Sequence, residues 1–190
     1  MDVHIHPISS PGSAMNAVSV MQASQLNNQA LQLSDQGNLT GAEELHLQAL
    51  QAKLAALGEN NPTTALTRNA LGELYLRMGR LDDAEDQLRR AVAVRTTRGT
   101  VFDAAVSVEN LGRLHEARGN LPEARQARLS YDRNNMVYGN YNCPGQTFRL
   151  DQLSNCSACK AVFYCSVVCQ KRDWRERHKR FCVKGQGRAT

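Results

Sequence analysis

Three stretches of the chain share one pattern, an apolar stripe at helical spacing that runs up to a glycine and resumes beyond it in the same register. They read ALQLSDQGNLTGAEELHLQAL from Ala30, GELYLRMGRLDDAEDQLRRAV from Gly72 and GRLHEARGNLPEARQARLSYD from Gly112. The glycines, Gly37, Gly79 and Gly119, are 42 and 40 residues apart. Each precedes a polar residue and a leucine (Leu39, Leu81, Leu121), then an alanine followed by Glu43, Glu85 or Arg125. A glycine there can take the left-handed conformation that ends a helix. The pattern therefore predicts helix, tight turn, helix, three times over. In the second unit Asp82, Asp83, Glu85 and Asp86 sit in the first turn of the second helix, where the helix dipole favours acids. Ala30, Gly72 and Gly112 are expected to face Ala42, Ala84 and Ala124, so that paired helices approach closely. One such hairpin cannot bury its apolar face, whereas stacked hairpins can.

This pattern resembles the tetratricopeptide repeat, and its long period resembles the kinesin-light-chain form of it. The resemblance covers about residues 23–135. Tyr75 matches the large aromatic of the first helix, where the other two units have Leu33 and His115. The third unit places Arg128 at a position expected to be apolar, as a degenerate terminal repeat covered by the segment that follows would. The resemblance implies a concave groove whose wall includes Asn27, Leu31, Asn69, Glu73, Arg77, Glu109 and Arg113. Asn28 and Asn110 recur beside it, and asparagine can pair with the backbone of an extended peptide. For any one of these residues the plainer alternative is ordinary polar surface.

Composition fits packed helices: 42% of residues are hydrophobic and only 5% aromatic, so the core is built from Leu, Ala and Val. No run of eighteen apolar residues exists to span a membrane, and the N-terminal stretch has neither the basic nor the apolar region of a secretory signal. A reducing compartment, cytoplasm or nucleus, is expected. Clustered cysteines in such a compartment are read as metal ligands rather than disulfides.

All six cysteines lie near the C-terminus, spaced C143-x12-C156-x2-C159-x5-C165-x3-C169-x8-H178-x3-C182. Pairs at x2 and x3 can deliver two ligands to one zinc ion from a turn or a single helical turn. Cys165 and Cys169 are expected where a turn enters a helix, and His178 and Cys182 on one face of a helix running through DWRERHKRFC. The arrangement resembles a MYND-type zinc finger over 143–182, through Tyr164-Cys165, Ser166, Cys169-Gln170, Trp174 and the His178-x3-Cys182 pair. That family interleaves two zinc sites. The resemblance implies one complete site, Cys156, Cys159, His178 and Cys182. A second uses Cys143, Cys165 and Cys169, with Gln146 where a fourth ligand belongs. Glutamine is a poor zinc ligand, so this second site is expected to be incomplete or weak. His4 and His6 are the only histidines a flexible tail could bring to it.

The resemblance further implies a protein-binding module. The surface that takes proline-rich segments such as P-x-L-x-P would map to Ser157, Gln170 and Trp174. Trp174 has a second reading, as cover for the small finger core. Charge is uneven: residues 1–138 carry 13 basic and 15 acidic residues, residues 139–190 ten and three. Zinc-bound thiolates reduce that basic excess. The run KRDWRERHKR could hold phosphates, and a basic zinc module binding nucleic acid with the repeats as a partner dock is the alternative function. Asp173 and Glu176 interrupt the run, and few aromatics are available to stack on bases. No nucleotide-binding loop, dinucleotide fingerprint or nucleophile elbow occurs, so no enzyme activity is expected. The fold expected is an all-α solenoid of three hairpins followed by a small zinc-stabilised finger. Its divisions are a disordered tail (1–13), repeats (14–136), a linker (137–142), the finger (143–182) and a disordered basic tail (183–190). A monomeric adaptor for proteins or peptides, with no membrane partner, is the function expected.

Overall fold

The computed structural model describes residues 11–137 and 147–182. Most of the predicted N-terminal tail, nearly all of the linker with Cys143 and Gln146, and the C-terminal tail lie outside these described residues. Six helices form three antiparallel hairpins: α1 (Pro11–Asp35) with α2 (Leu39–Leu57), α3 (Pro62–Met78) with α4 (Leu81–Arg98), and α5 (Val101–Ala117) with α6 (Leu121–Leu129). Successive hairpins stack, α2 on α3 and α4 on α5. Helix α1 starts at Pro11, inside the stretch 1–13 assigned to a tail.

The three hairpin turns share one geometry. Gly37, Gly79 and Gly119 have φ of 86°, 75° and 80°. In each turn the next residue's N–H reaches back five positions to a carbonyl: Asn38 to Leu33, Arg80 to Tyr75 and Asn120 to His115, all 2.9 Å. These bonds satisfy carbonyls that the ending helix leaves open. A side chain at the glycine would be strained by the positive φ alone.

Ala30 and Ala42 are fully buried and pack with Leu74. In the second and third hairpins the expected small-on-small contact is replaced. A Cβ on Gly72 would lie 2.5 Å from Leu88 Cγ, and one on Gly112 would lie 2.8 Å from Arg128 Cγ. The glycines thus make room for a long side chain one turn beyond Ala84 and Ala124. The central core gathers Leu50, Leu71, Tyr75, Ala84, Leu88 and Leu114.

After α6 the chain forms a compact finger. Met136 and Phe148 exchange backbone hydrogen bonds of 2.8 Å. Strands β1 (Ser154–Asn155) and β2 (Phe163–Tyr164) pair antiparallel, and α7 (Val167–Glu176) follows. Ser166 caps α7 by accepting the Cys169 N–H at 3.2 Å, which fixes Cys165 and Cys169 at the helix start as expected. The continuous helix expected through His178 is not formed. Arg177 leaves helical geometry (φ −143°, ψ −62°), and His178–Arg180 make a short 3-10 turn. The spacing of His178 and Cys182 survives because the Cys182 N–H donates to the His178 carbonyl at 3.0 Å.

Candidate metal centre and binding grooves

Cys156, Cys159, His178 and Cys182 come from three separate places: the end of β1, the turn after it and the 3-10 turn beyond α7. Their ligand atoms all lie within 4.8 Å of one another. The Sγ atoms of Cys156 and Cys182 are 3.8 Å apart, and Cys159 Sγ is 3.5 Å from His178 Nε2. A tetrahedral zinc ion with ordinary bond lengths separates two thiolates by about 3.8 Å and a thiolate from an imidazole nitrogen by about 3.5 Å. The donor set and its spacing therefore fit zinc. Burial works against the Cys156 thiolate, yet hydrogen bonds from the Cys159 backbone, His178 and the Ala158 backbone outweigh it and lower the thiol to about 7. Cys165 and Cys169 bring their Sγ atoms to 3.4 Å, separate from this cluster. Cys143 and Gln146, expected beside them, lie outside the described residues.

The histidine of this cluster is held from outside the finger. His178 Nδ1–H donates to Glu116, a fully buried carboxylate on α5. Arg128 Nη2 and Arg177 Nη1 donate to the other oxygen of Glu116 at 3.0 and 2.8 Å. Burial would raise the Glu116 carboxyl, but the His178 hydrogen bond and the two arginines hold it well below the usual range. Arg128 also grips Glu109 with two hydrogen bonds and donates to the Ala161 carbonyl at 3.0 Å. Arg125 donates to the Lys160 carbonyl at 2.6 Å and stands over the Phe163 ring. The arginine at an expected apolar position is thus the bolt between last hairpin and finger, as a terminal repeat covered by its successor requires.

Family comparisons agree with this architecture. Tetratricopeptide-repeat models match residues 22–97 and 105–128, and a MYND finger model matches 140–182. The chain is a tetratricopeptide-repeat protein with a C-terminal MYND finger. A crystal structure of BtubC (BKLC) from P. vanneervenii is similar with a TM-score of 0.52 and 25% identity, over 67% of this chain and 57% of that one. This fits the kinesin-light-chain-like period of the repeats. N-lysine methyltransferase SMYD2 of Gallus gallus is 49% identical over 42 residues, a stretch no longer than the finger. That stretch is 22% of this chain and only 9% of the chicken protein. The MYND finger and its Cys/His cluster mark a zinc-binding protein.

On the MYND finger Ser157, Gln170 and Trp174 line one open groove of ≈ 440 Å³, with Cys156, Ala158, Lys171 and Arg175. Trp174 also packs on the finger core and meets the His178 ring edge-on at 5.8 Å.

The tetratricopeptide groove divides its expected residues. Leu31, Glu73 and Arg77 line a cavity of ≈ 430 Å³. Glu73, Arg77 and Arg113 line a second of ≈ 370 Å³, whose far wall is Arg177, Arg180 and Phe181 of the finger. Asn27, Asn69 and Glu109 are corrected: all three are buried and face other helices rather than a ligand. Asn27 accepts from His46 Nδ1–H at 2.9 Å, Asn69 accepts from Asn110 at 3.3 Å, and Glu109 is held by Arg128. The repeat register was legible, but helical periodicity does not tell a groove wall from the seam between adjacent helices. Glu116 and Arg177 escaped the sequence reading. Their signal was present in Arg128 itself, because a cation at an expected core position demands a buried carboxylate within reach.

Proposed function

We propose that the protein is a non-enzymatic adaptor with two binding surfaces, a MYND finger groove for proline-rich segments and a repeat cleft for an extended peptide. The observation that carries it is the convergence of Ser157, Gln170 and Trp174 on one groove with an aromatic wall. Proline-rich ligands use such aromatic-lined grooves because their backbone is already extended and loses little entropy. The repeat cleft takes its peptide through Glu73, Arg77 and Arg113. The finger holds one four-ligand zinc, at Cys156, Cys159, His178 and Cys182, and a weaker second zinc at Cys143, Cys165 and Cys169. The protein acts as a monomer in the cytoplasm or nucleus.

Internal pairing argues against the nucleic-acid alternative. Arg172 is paired with Glu176, and Arg177 with Glu116 and Asp173. Two of the six cations in the run are thus engaged with carboxylates, which leaves the run less basic than its sequence reads.

Fluorescence anisotropy with a labelled P-x-L-x-P peptide and the intact chain tests the reading. Binding should fall at least about tenfold in Trp174→Ala, as for an aromatic anchor in a groove, while zinc content stays constant. Equal affinity for wild type and variant would remove the finger groove from the function. Tight duplex DNA binding near physiological salt would favour the alternative.

A further inference from the structure

We propose that Glu116 of the last repeat hairpin positions His178 for zinc, so that the tetratricopeptide domain completes the metal centre of the finger. The inference rests on the reading of Cys156, Cys159, His178 and Cys182 as a zinc site.

An imidazole ligates zinc only through a nitrogen without a proton, and the other nitrogen must then keep one. A hydrogen-bond acceptor at Nδ1 fixes that choice and the ring's orientation. In this protein the acceptor is Glu116. It receives Nδ1–H and leaves Nε2 without a proton, 3.5 Å from Cys159 Sγ and on the side of the other three ligands. The finger's own buried carboxylate does not serve. Asp173 accepts from Tyr164 Oη at 2.8 Å and from Arg177 at 3.0 and 3.1 Å. The acceptor is supplied instead from 62 residues earlier, out of the last turn of α5.

Glu116 is itself fixed. Its side chain is fully buried, and Arg128 and Arg177 draw its second oxygen from the repeat side and the finger side respectively. The ring of His178 is thereby clamped to the solenoid. Docking of the finger and filling of the metal site become one event. By linkage, zinc that binds the docked form tightly also stabilises the docking.

A purely structural role for Glu116, neutralising Arg128 and Arg177, would predict something different, and a two-background experiment separates them. Zinc affinity of the intact chain is measured by competition with a chromogenic chelator. The site concerned is the one whose zinc is lost in Cys159→Ser. Glu116→Ala should weaken that site about 10- to 100-fold, as removal of a ligand's orienting partner does, and Glu116→Gln should weaken it less. A thiolate needs no such partner. In a His178→Cys background the effect of either Glu116 change should therefore shrink to less than about threefold.

Long-range 1H–15N spectra give a second readout. The zinc-loaded wild type should show His178 protonated at Nδ1 and metal-bound at Nε2, and Glu116→Gln should shift the Nδ1 resonance. Equal loss of affinity in the wild-type and His178→Cys backgrounds would overturn the proposal in favour of the structural role. So would unchanged affinity in both Glu116 variants. Where Glu116→Ala fails to fold, Glu116→Gln carries the comparison alone. A wild-type chain that holds no zinc sensitive to Cys159→Ser would overturn the underlying site assignment, and the proposal with it.

Discussion

Arg128 and Glu116 meet at 3.0 Å with side chains 1% and 0% exposed, at the point where solenoid and finger join. A buried ion pair is stabilising only while both members stay satisfied. Here every member is: Glu109 shares the guanidinium, and His178 and Arg177 share Glu116. Arg128→Ala should therefore cost about 3–5 kcal/mol, because it takes the shared buried cation away from Glu109 and Glu116. Urea unfolding of the zinc-saturated chain measures this. A loss below about 1 kcal/mol, typical of an exposed pair, would mean that water reaches the cluster.

Gly72 lies directly beneath Leu88. Gly72→Ala places a methyl 2.5 Å from Leu88 Cγ, so the hairpin must open or Leu88 must change rotamer. The expected cost is about 1–3 kcal/mol, despite the better helix propensity of alanine. Thermal unfolding of Gly72→Ala, Leu88→Ala and the double variant tests the contact. The double variant should lose less than the two single losses combined. Strict additivity would show that the cost of Gly72→Ala does not arise from its contact with Leu88.

His46 makes the solenoid acid-sensitive. Burial, with a smaller contribution from Lys53, lowers it from 6.5 to about 4. Its Nδ1–H is committed to Asn27. The sign follows from where protons bind. Between pH 6.5 and about 4 the unfolded chain takes up a proton that the folded chain refuses, so stability is full above 6.5 and falls as the pH drops. The most this can amount to is about 3 kcal/mol, at about 1.4 kcal/mol per pH unit. Carboxylates and zinc release also act in this range, so the quantity to measure is the difference between wild type and His46→Gln. That difference should narrow steadily from about pH 7 to about pH 4. A constant difference would place the His46 proton affinity near its ordinary value.

The two zinc sites proposed above should part company under chelation. Four ligands surround the Cys156–Cys182 site, whereas the second site, with Cys143, Cys165 and Cys169, has Gln146 in the sequence where a fourth thiolate belongs. Metal analysis during chelator titration should show two steps, with the Cys165/Cys169 site emptied first. Gln146→Cys should merge them, since it supplies the ligand type that zinc prefers. Two zinc ions lost in a single step from wild type would require a fourth ligand from elsewhere in the chain.

Period, turn glycines and cysteine spacing were sufficient to read three hairpins and a zinc-binding finger from the sequence. These features are local: a left-handed glycine, a helical stripe or a ligand pair within one turn is determined by residues near each other in the chain. The complete donor set of one zinc site was legible through its resemblance to the MYND pattern, and three groove residues of the finger likewise. Everything joining the two parts was decided by tertiary structure. Asn27, Asn69 and Glu109 share a helical face with Leu31, Glu73 and Arg113, which line open clefts, and only the packing of the next helix removes them from solvent. Glu116 looks like any acid on an exposed turn until Arg128, Arg177 and His178 close around it. The break at Arg177 has the same origin, since its side chain reaches back to Glu116 as the helix ends. Charge pairs between segments about 60 residues apart leave no periodic trace, because what selects them is the cost of burying either partner alone.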